Sequence, residues 1–403
     1  MFPEERRSKI LEHLDKHERA TVAWLAGQFN VTKETIRSDL AHLVEQGLIQ
    51  RCHGGALILR RNLQTKLISE TGGNFEVLLK RLAASQTVRQ HIQPLRPGGG
   101  KVCILGAFNV DIVAKVVRFP RGGESLLAQG SSLGPGGKGA NQAMAASKAG
   151  AEVHFVSKVG KDQFSQFAFD HLSSSGIHSF RLYQSDCEPT GNAIIYVSQE
   201  DGENMIAIYS GANKTLTSDE IASMTSELAN TDVLLVQLEN NFDATLKAIQ
   251  LARTLGVKVI MNPAPYSRDV LSCLSDIDII TPNETEASRL SGIDITNMET
   301  AREAARIIAA LGVSRVIITM GSRGALLYDT QQFQHIPAFP ALSVDTTGAG
   351  DAFNGALAAA IASGQSLVQA ATFAAAFASL AVEREGASNM PAYQQVVSRL
   401  ALR

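Results

Sequence analysis

The chain has 403 residues, of which 45% are hydrophobic and 19% charged, and its formal net charge is −2. That length exceeds what one hydrophobic core usually supports, so we expect two or three domains. Basic side chains outnumber acidic ones in residues 1–61, and the reverse holds in residues 101–403. The excess at the front is too small to indicate nucleic-acid binding, so that function has to be inferred from pattern instead.

The sequence predicts a cytoplasmic protein without membrane contact. It begins without an apolar signal region, and its longest alanine-rich stretch, residues 370–382, is too short to span a bilayer. The four cysteines are widely spaced and form no CxxC pair, so neither a disulfide framework nor a zinc site is expected.

Residues 1–60 have the pattern of a small helical domain. Apolar residues recur at helical spacing within residues 4–17 and 21–29. A third helix is predicted to begin with Thr32 as its cap and to end at Gly47. Two short apolar runs around a glycine-rich turn then predict a hairpin. Three helices followed by a hairpin form a winged helix-turn-helix domain.

Two segments of this domain, Thr32 to Leu40 and Leu48 to Ala56, resemble the corresponding parts of DeoR-type winged-helix repressors. The resemblance implies binding to double-stranded DNA, with the third helix in the major groove. Ser38 stands where the family usually has a second basic residue, so one phosphate contact is weakened. A winged helix can also be a protein–protein module, and the pattern leaves that alternative open. The implied DNA-binding residues are Thr32, Lys33, Thr35, Arg37, Ser38 and His53.

Residues 61–100 have weak periodicity and end in a stretch rich in proline and glycine, which predicts a linker with one short helix over residues 76–84. From Lys101 onward, apolar strand-like runs alternate with alanine-rich helical runs. This alternation predicts a largely parallel sheet with helices on both faces, a three-layer α/β/α sandwich over residues 101–403. Two stretches break the rhythm, residues 119–133 and 190–213, and are predicted to form a small antiparallel β flap over the edge of the sheet.

The most informative motif is VDTTGAGDAFNG, which runs from Val344 to Gly355 into an apolar helix. A glycine turn that enters a helix presents N–H groups and a positive dipole end to an anion. Asp351 lies where it can take a proton from a hydroxyl beside that anion hole. A Gly/Asp cap is common in helices, but the whole string resembles the C-terminal signature of the PfkB carbohydrate kinases. The implied catalytic residues are Gly348, Ala349, Gly350 and Asp351.

A second glycine-rich motif, GPGGKGAN, runs from Gly134 to Asn141 and formally matches GxGxxG. A dinucleotide site would need a strand just before it, but that segment is polar, and a P-loop would need Ser or Thr after the lysine. The remaining interpretation is a turn whose backbone approaches a ligand closely, with Lys138 and Asn141 as donors. This motif resembles the N-terminal PfkB signature in the form that ribokinases carry.

Polar residues also follow other strand-like runs. Asn109 and Asp111 come just after the first strand of the α/β region, and Glu239 ends another strand. The carboxyl ends of parallel strands form the ligand-binding edge of such sheets. The same order is found in ribokinases, and the resemblance implies that the sugar is bound by Asn109, Asp111, Gly137, Lys138, Asn141, Glu239 and Asp351.

The resemblance covers nearly all of residues 101–403 and implies a nucleotide site beside the sugar. Mg²⁺ would be held through Asn283 and Glu286 of an NxxE motif by way of water, because this hard cation keeps its waters. ATP would contact Asn283, Thr319, Gly321, Ser322, Gly324 and Gly350. A monovalent cation such as K⁺ would bind at Asp345, Thr347, Ala381, Arg384 and Gly386.

Two positions depart from the ribokinase pattern. Met390 stands where a ribokinase has Ser, which puts one ligand of the monovalent cation in question. Ala375 replaces a polar residue near the adenine, so the sequence predicts that this edge contact is missing.

The combined patterns predict a bifunctional protein: an ATP-dependent kinase that converts D-ribose or a related sugar to its 5-phosphate, joined to a DNA-binding regulator. The alternative is a transcription regulator whose kinase fold serves mainly as a sugar or nucleotide sensor. The resemblance also implies a homodimer, because flaps of this family often pair and repressors read paired half-sites. Whether ligand binding alters DNA affinity stays open, as do the operator and the sugar.

Overall fold

The computed structural model describes residues 3–17, 19–45, 49–52, 55–58, 89–92, 99–200 and 202–401. The chain divides into two compact units, Met1–Gln86 and Thr87–Arg403. No helix in the described part of the chain is both long and apolar enough to cross a membrane.

The first unit is a winged helix-turn-helix domain, as predicted. Its sheet has the order β1-β3-β2 and is antiparallel. The short strand β1 was not predicted; it pairs with β3 and so ties the first helix to the wing. The hydroxyl of Thr21 caps α2 by accepting a hydrogen bond from the Trp24 amide at 3.2 Å. The elements are α1 (Pro3–His17), β1 (Arg19–Thr21), α2 (Val22–Phe29), α3 (Lys33–Glu45), β2 (Ile49–Cys52) and β3 (Gly55–Ile58).

Helix α3 is anchored by apolar packing and by one buried carboxylate. Its inward side chains Ile36 and Leu40 are fully buried. Asp39, which is 1% exposed, accepts hydrogen bonds from Arg6 at 2.6 Å and from Arg7 at 3.0 Å. These ion pairs join α3 to α1, because both arginines belong to α1. A charge pair of this kind fixes the orientation of the two helices.

The second unit contains the remaining described elements. Its strands are β4 (Arg89–Ile92), β5 (Lys101–Leu105), β6 (Asn109–Val116), β7 (Gly130–Gly136), β8 (Glu152–Val159), β9 (Ser179–Gln184), β10 (Asn192–Ser198), β11 (Asn204–Tyr209), β12 (Val233–Val236), β13 (Lys258–Met261), β14 (Ile279–Ile280), β15 (Arg315–Thr319), β16 (Ala325–Asp329) and β17 (Gln332–Ile336). Its helices are α4 (Lys138–Lys148), α5 (Gln163–Ser174), α6 (Ser218–Ala222), α7 (Thr225–Ala229), α8 (Phe242–Thr254), α9 (Glu284–Ser291), α10 (Met298–Ala310), α11 (Ala349–Ala362), α12 (Leu367–Ala381) and α13 (Tyr393–Ala401).

The main sheet of this unit has ten strands in the order β17-β16-β15-β14-β13-β12-β5-β8-β9-β4. The strands from β15 to β9 run parallel, whereas β16, β17 and β4 are antiparallel to their neighbours. Alternate residues of β5 belong to different cores: Val102 and Ile104 pack with α11 and α12, and Cys103 and Leu105 with α8 and α10. Helices therefore cover both faces, and the predicted α/β/α sandwich is confirmed.

The flap is a separate four-stranded sheet with the order β11-β10-β6-β7. Strands β10 and β11 are antiparallel, as predicted, but β6 and β10 run parallel. The prediction of a wholly antiparallel flap was therefore wrong at its centre. Strand β6 belongs to this sheet because the chain turns out of the main sheet at residues 106–108.

Strand β4 lies inside the range that was predicted to be a linker. It pairs with β9 and forms an edge of the main sheet. Gly99 and Gly100 also pack tightly, because a Cβ on Gly100 would come within 2.1 Å of the carbonyl carbon of Ala362. The short helix predicted within residues 76–84 lies outside the described residues, and the exact domain boundaries stay a prediction.

Candidate active site and DNA-binding surface

The glycine turn before α11 holds the candidate anion-binding groups. Gly348 caps the helix with a φ of 76°, a left-handed conformation that favours glycine. A Cβ at this position would also come within 2.8 Å of Ala387. The start of α11 is formed by the backbone of Gly348, Ala349 and Gly350. A ligand bound there would lie close to this backbone, and the helix dipole would favour a negatively charged ligand.

Asp351 lies in the first turn of α11 and is 5% exposed. Both of its oxygens accept hydrogen bonds from side-chain amides, Oδ2 from Asn141 at 3.1 Å and Oδ1 from Gln142 at 3.0 Å. Ser388 in turn donates to Asn141 Oδ1 at 2.7 Å. The carboxylate is thus held in one orientation beside the glycine turn.

The lysine of the second glycine motif begins α4 and lies among three carboxylates. The carboxylate of Asp351 raises the pKa of Lys138 against the lowering effect of burial, and Glu239 and Glu286 raise it further. The backbone amide of Lys138 donates to Glu239 Oε2 at 2.8 Å. Gly137 has a φ of 89°, and a Cβ there would approach the carbonyl oxygen of Ala107 to 2.6 Å. The motif is therefore a tightly packed turn between β7 and α4, and its predicted approach to a ligand stays a prediction.

Two of the predicted sugar-binding carboxylates, Asp111 and Glu239, are half-buried. Burial raises the pKa of Asp111 to about 6. Burial also raises the pKa of Glu239, against the lowering effect of Lys138. Asn109 is 4% exposed, and its Oδ1 accepts a hydrogen bond from the Asn213 amide at 2.9 Å. Buried carboxylates and oriented amides at a sheet edge are suited to binding hydroxyl groups.

The predicted nucleotide side is built around the N-terminus of α9. Asn283 and Glu286 form a capping box, in which each side chain accepts a hydrogen bond from the other's backbone amide at 2.8 and 2.9 Å. Burial raises the pKa of Glu286. Asn283 also forms a β-bridge with Thr319, the last residue of β15. The turn that follows β15 contains Gly321 and Ser322 and ends at Gly324, so the bridge connects Asn283 to this turn.

The described residues contain no group of three or more His, Cys, Asp and Glu side chains that could hold a metal ion. A Mg²⁺ ion at the Asn283–Glu286 pair, completed by water and phosphate oxygens, therefore stays a prediction.

The predicted cation loop is closed by Asp345. Burial raises its pKa, but a hydrogen bond from the Thr347 side chain and those from the Gly386 and Thr347 amides, at 3.0 and 2.8 Å, outweigh that effect, so the pKa is lowered. Arg384 donates to the carbonyl oxygen of Met390 at 3.0 Å, and the Met390 side chain is buried. Ala381 is the last residue of α12.

Several polar residues at this site were not predicted from the sequence. The principal ones are buried amides and hydroxyls behind Asp351: Gln142, Gln237, Asn262, Thr281 and Asn354. Gln142 directly follows the second glycine motif, and Gln237 lies two residues before Glu239, so proximity to those motifs was the available signal.

The predicted DNA-binding residues lie at the start of α3, apart from His53, which is outside the described residues. The Thr32 hydroxyl caps the helix by accepting from the Thr35 amide at 3.2 Å. Lys33 and Ser38 are exposed. Arg37 is also exposed and pairs with Glu34 at 2.8 Å, an exchangeable surface contact.

Each of the two units matches a known protein family. The model of the pfkB family carbohydrate kinases matches residues 100–393, and that of the DeoR-like helix-turn-helix domain matches residues 6–62. A ribokinase from Haemophilus influenzae is 37% identical over 298 residues, which cover 74% of this chain and 97% of the relative. A deoxyribokinase from Salmonella typhi is 35% identical over 303 residues, 75% of this chain and 99% of the relative.

Solved structures give the same fold. The ribokinase of Arabidopsis thaliana, complexed with ribose and ATP, superposes with a TM-score of 0.69 at 32% identity and covers 75% of this chain and 99% of its own. Phosphofructokinase-2 from Escherichia coli, in complex with potassium, has a TM-score of 0.65 at 21% identity, covers 75% of this chain and 99% of its own, and shares the fold alone.

Proposed function

The chain belongs to the pfkB family of carbohydrate kinases and carries a DeoR-like helix-turn-helix domain, and from this we propose that it phosphorylates D-ribose to D-ribose 5-phosphate at the expense of ATP. The observation that carries the proposal is the position of the Asp351 carboxylate, at the start of α11 and held by two amides. A base in that position can accept the proton of a sugar hydroxyl while the oxygen attacks the γ-phosphorus of ATP, the bond from that phosphorus to the β–γ bridging oxygen breaks, and ADP leaves.

In this proposal the glycine turn stabilises charge on the transferred group. The backbone of Gly348, Ala349 and Gly350 faces the phosphoryl oxygens, where the first-turn amides and the dipole of α11 lower the energy of the transition state. Lys138 contributes a positive charge from the opposite side, which its raised pKa maintains at neutral pH.

The sugar lies against the flap side of the site. Asp111 and Glu239 accept hydrogen bonds from sugar hydroxyls, and Asn109, Lys138 and Asn141 donate to sugar oxygens. These groups are buried or half-buried, so they bind hydroxyls in competition with little water. Gly137 keeps the Lys138 turn packed against the residues before β6, because a Cβ there would meet the Ala107 carbonyl oxygen and the Asn109 amide.

ATP lies on the other side of Asp351, along the loop after β15. Its proposed contacts are Asn283, Thr319, Gly321, Ser322, Gly324 and Gly350. The raised pKa of Glu286 marks a buried carboxylate that a nearby cation would stabilise, which fits a Mg²⁺ ion held through Asn283 and Glu286 with water between them. That ion would supply positive charge to the phosphates.

We also propose a monovalent cation, K⁺, at the loop of Asp345, Thr347, Ala381, Arg384 and Gly386. The lowered pKa of Asp345 keeps a negative charge there. Met390 is not counted among the ligands, because it stands where a ribokinase has Ser and its thioether is a poor ligand for K⁺. Turnover in K⁺ should exceed turnover in choline chloride of equal ionic strength; equal rates would contradict the site.

Exchange of Asp351 tests the kinase function. Asp351→Asn removes the base but preserves the size of the side chain, so turnover should fall by roughly 10²- to 10⁴-fold while ATP affinity changes little. Turnover within about twofold of the parent would show that Asp351 is not the base. ATP consumption with ribose, deoxyribose, hexoses and nucleosides identifies the sugar.

The N-terminal unit is proposed to bind double-stranded DNA through Thr32, Lys33, Thr35, Arg37, Ser38 and His53. Arg37→Ala should weaken binding and reduce its salt dependence, because one phosphate contact is lost. Kinase kinetics should not change. Equal DNA affinity for the variant and the parent at matched salt would favour the protein–protein role instead.

A second candidate function is a transcription regulator whose kinase fold only senses sugar or nucleotide. The helix-turn-helix domain favours a regulatory role, whereas the assembled site around Asp351 favours catalysis. Sugar binding without any ATP turnover across the sugar panel would support the sensor.

A homodimer formed through the flap is also proposed. Strand β11 is exposed along its whole length and lies at the edge of its sheet. Exposed apolar residues of this kind mark an association surface. Ile208→Asp, near the C-terminal end of that strand, should convert dimer to monomer in sedimentation experiments. The apolar side chains are Leu133, Ile194, Met205, Ile206, Ile208 and Tyr209.

A further inference from the structure

A chain of buried polar side chains is connected to Asp351 by hydrogen bonds. Gln142 is fully buried, and its Nε2 donates both to Asp351 Oδ1 at 3.0 Å and to Asn262 Oδ1 at 3.1 Å. Its Oε1 accepts from Gln237 Nε2 at 2.6 Å. Both hydrogens of the Gln142 amide group and its oxygen are therefore used.

This arrangement fixes the orientation of the Gln142 amide. If the group turned over, its oxygen would face the carboxylate of Asp351 and the carbonyl oxygen of the Asn262 side chain, and its nitrogen would face the Gln237 donor. The contacts with Asp351 and Asn262 would then each bring two acceptor oxygens together, which is costly in a buried site. Gln142 is thus held as a donor to Asp351.

The chain continues from Asn262 back to the turn of Asp351. Asn262 Nδ2 donates to the carbonyl oxygen of Thr281 at 3.3 Å, and the Thr281 hydroxyl contacts Asn354 Oδ1. Asn354 Nδ2 donates to the carbonyl oxygen of Gly350 at 2.8 Å, next to Asp351. The hydrogen bonds therefore form a closed ring that joins α4, the ends of β13 and β14, and α11.

We propose that Gln142 and Thr281 are positioning residues for phosphoryl transfer: through this ring they hold the Asp351 carboxylate in line with the sugar hydroxyl without contacting either substrate. The inference rests on the proposed role of Asp351 as the base. A misplacement of about 1 Å at a reacting group can cost roughly 100-fold in rate. Because no ligand contact is assigned to the Gln142 or Thr281 side chain, loss of either should lower kcat and leave both KM values nearly unchanged.

The first test replaces Gln142 by Met in the full-length protein. Methionine has a similar length and volume but no amide, so the hydrogen bond to Asp351 is removed with little change in packing. We expect kcat to fall about tenfold or more, with the KM for ribose and for ATP within about threefold of the parent. A parental kcat would overturn the proposal.

The second test separates the hydroxyl of Thr281 from its volume. Thr281→Val retains the shape and removes the hydroxyl, whereas Thr281→Ser retains the hydroxyl and loses a methyl group. Thr245→Val is the matched control, because Thr245 is equally buried at 1% exposure and its hydroxyl also bonds inside the fold, to the Asn241 carbonyl oxygen at 3.3 Å.

We expect Thr281→Val to lower kcat about tenfold, Thr281→Ser to restore it, and Thr245→Val to leave it at the parental value. Melting temperatures are measured for all variants, so that loss of fold is distinguished from loss of alignment. Equal kcat for Thr281→Val and Thr281→Ser would overturn the proposal, even if Gln142→Met failed to fold. Asp351→Asn is assayed in parallel: parental turnover of that variant would refute the proposed base rather than the ring.

Discussion

Gly136 is the position where a single added carbon should most directly disturb sugar binding. Gly136 is the last residue of β7 and lies beside the Asp111 carboxylate. A Cβ on Gly136 would lie 2.1 Å from Asp111 Oδ1 and 2.4 Å from Oδ2. Real Cβ contacts almost never come below 3.0 Å, so something has to move. The carboxylate is the end of a rotatable side chain, so Gly136→Ala should turn it away from the sugar and leave the fold intact.

The magnitude follows from the hydrogen bonds that Asp111 is proposed to make. A hydrogen bond to a charged group contributes about 1.5–3 kcal/mol. Loss of one such bond should raise the sugar KM by roughly 10- to 150-fold, since about 1.4 kcal/mol corresponds to a factor of ten. The KM for ATP should stay within about twofold, because Asp111 is assigned only to the sugar.

Gly134→Ala provides the matched control. Gly134 lies on the same strand, directly opposite Asp111 in the register, but a Cβ there would meet nothing within 4 Å. Ribose is titrated at saturating ATP for the two variants and the parent. Equal ribose KM values for Gly136→Ala and Gly134→Ala would refute the assignment of Asp111 to the sugar.

Three further predictions concern pH, the DNA-binding unit and the boundary between the units. The sugar KM should rise as pH falls through about 6, because burial raises the pKa of Asp111 to about 6 and the protonated carboxyl is a poorer acceptor of hydrogen bonds. In the Asp111→Asn variant the sugar KM should not show this rise. Asp39→Ala should destabilise the first unit by about 3–5 kcal/mol, as removal of one member of a buried ion pair does, and abolish DNA binding in an anisotropy titration without changing kcat. A fragment that begins at Thr87 should match the parent in kcat and in the melting temperature of the kinase unit. A fragment that begins at Lys101 should melt at a lower temperature, because it lacks β4. Identical melting temperatures for the two fragments would show that this strand does not stabilise the sheet.

Local patterns in the sequence were sufficient to predict most of the fold. Helical spacing identified α1 and α3, and the apolar runs identified the parallel strands, because each of these elements buries one face or both. Elements that depend on distant partners were missed. Strand β1 has three residues, and β4 has four, and each is defined by pairing with a strand elsewhere in the chain.

In the site, too, residues in local motifs could be predicted and residues with distant partners could not. The glycine turns, Asp351 and Lys138 belong to continuous motifs, and their conformations follow from local requirements such as the positive φ of Gly137 and Gly348. Asp39 could not be assigned in this way, because its arginine partners are 32 and 33 residues away. A charged residue on a helix is usually on a solvated face, and only the packing of α1 against α3 shows that this one is buried.

The ring behind Asp351 shows why such residues cannot be read from sequence alone. Gln142 and Asp351 are separated by 209 residues, Gln142 and Asn262 by 120, and Thr281 and Asn354 by 73. A buried glutamine in an alanine-rich helix is unfavourable unless every polar atom is paired, so the side chain has meaning only when its partners are known. The motif residues determine which chemistry is possible, and the ring determines how accurately the base is aligned; variants of Thr281 therefore test a part of catalysis that variants of the motif residues cannot isolate.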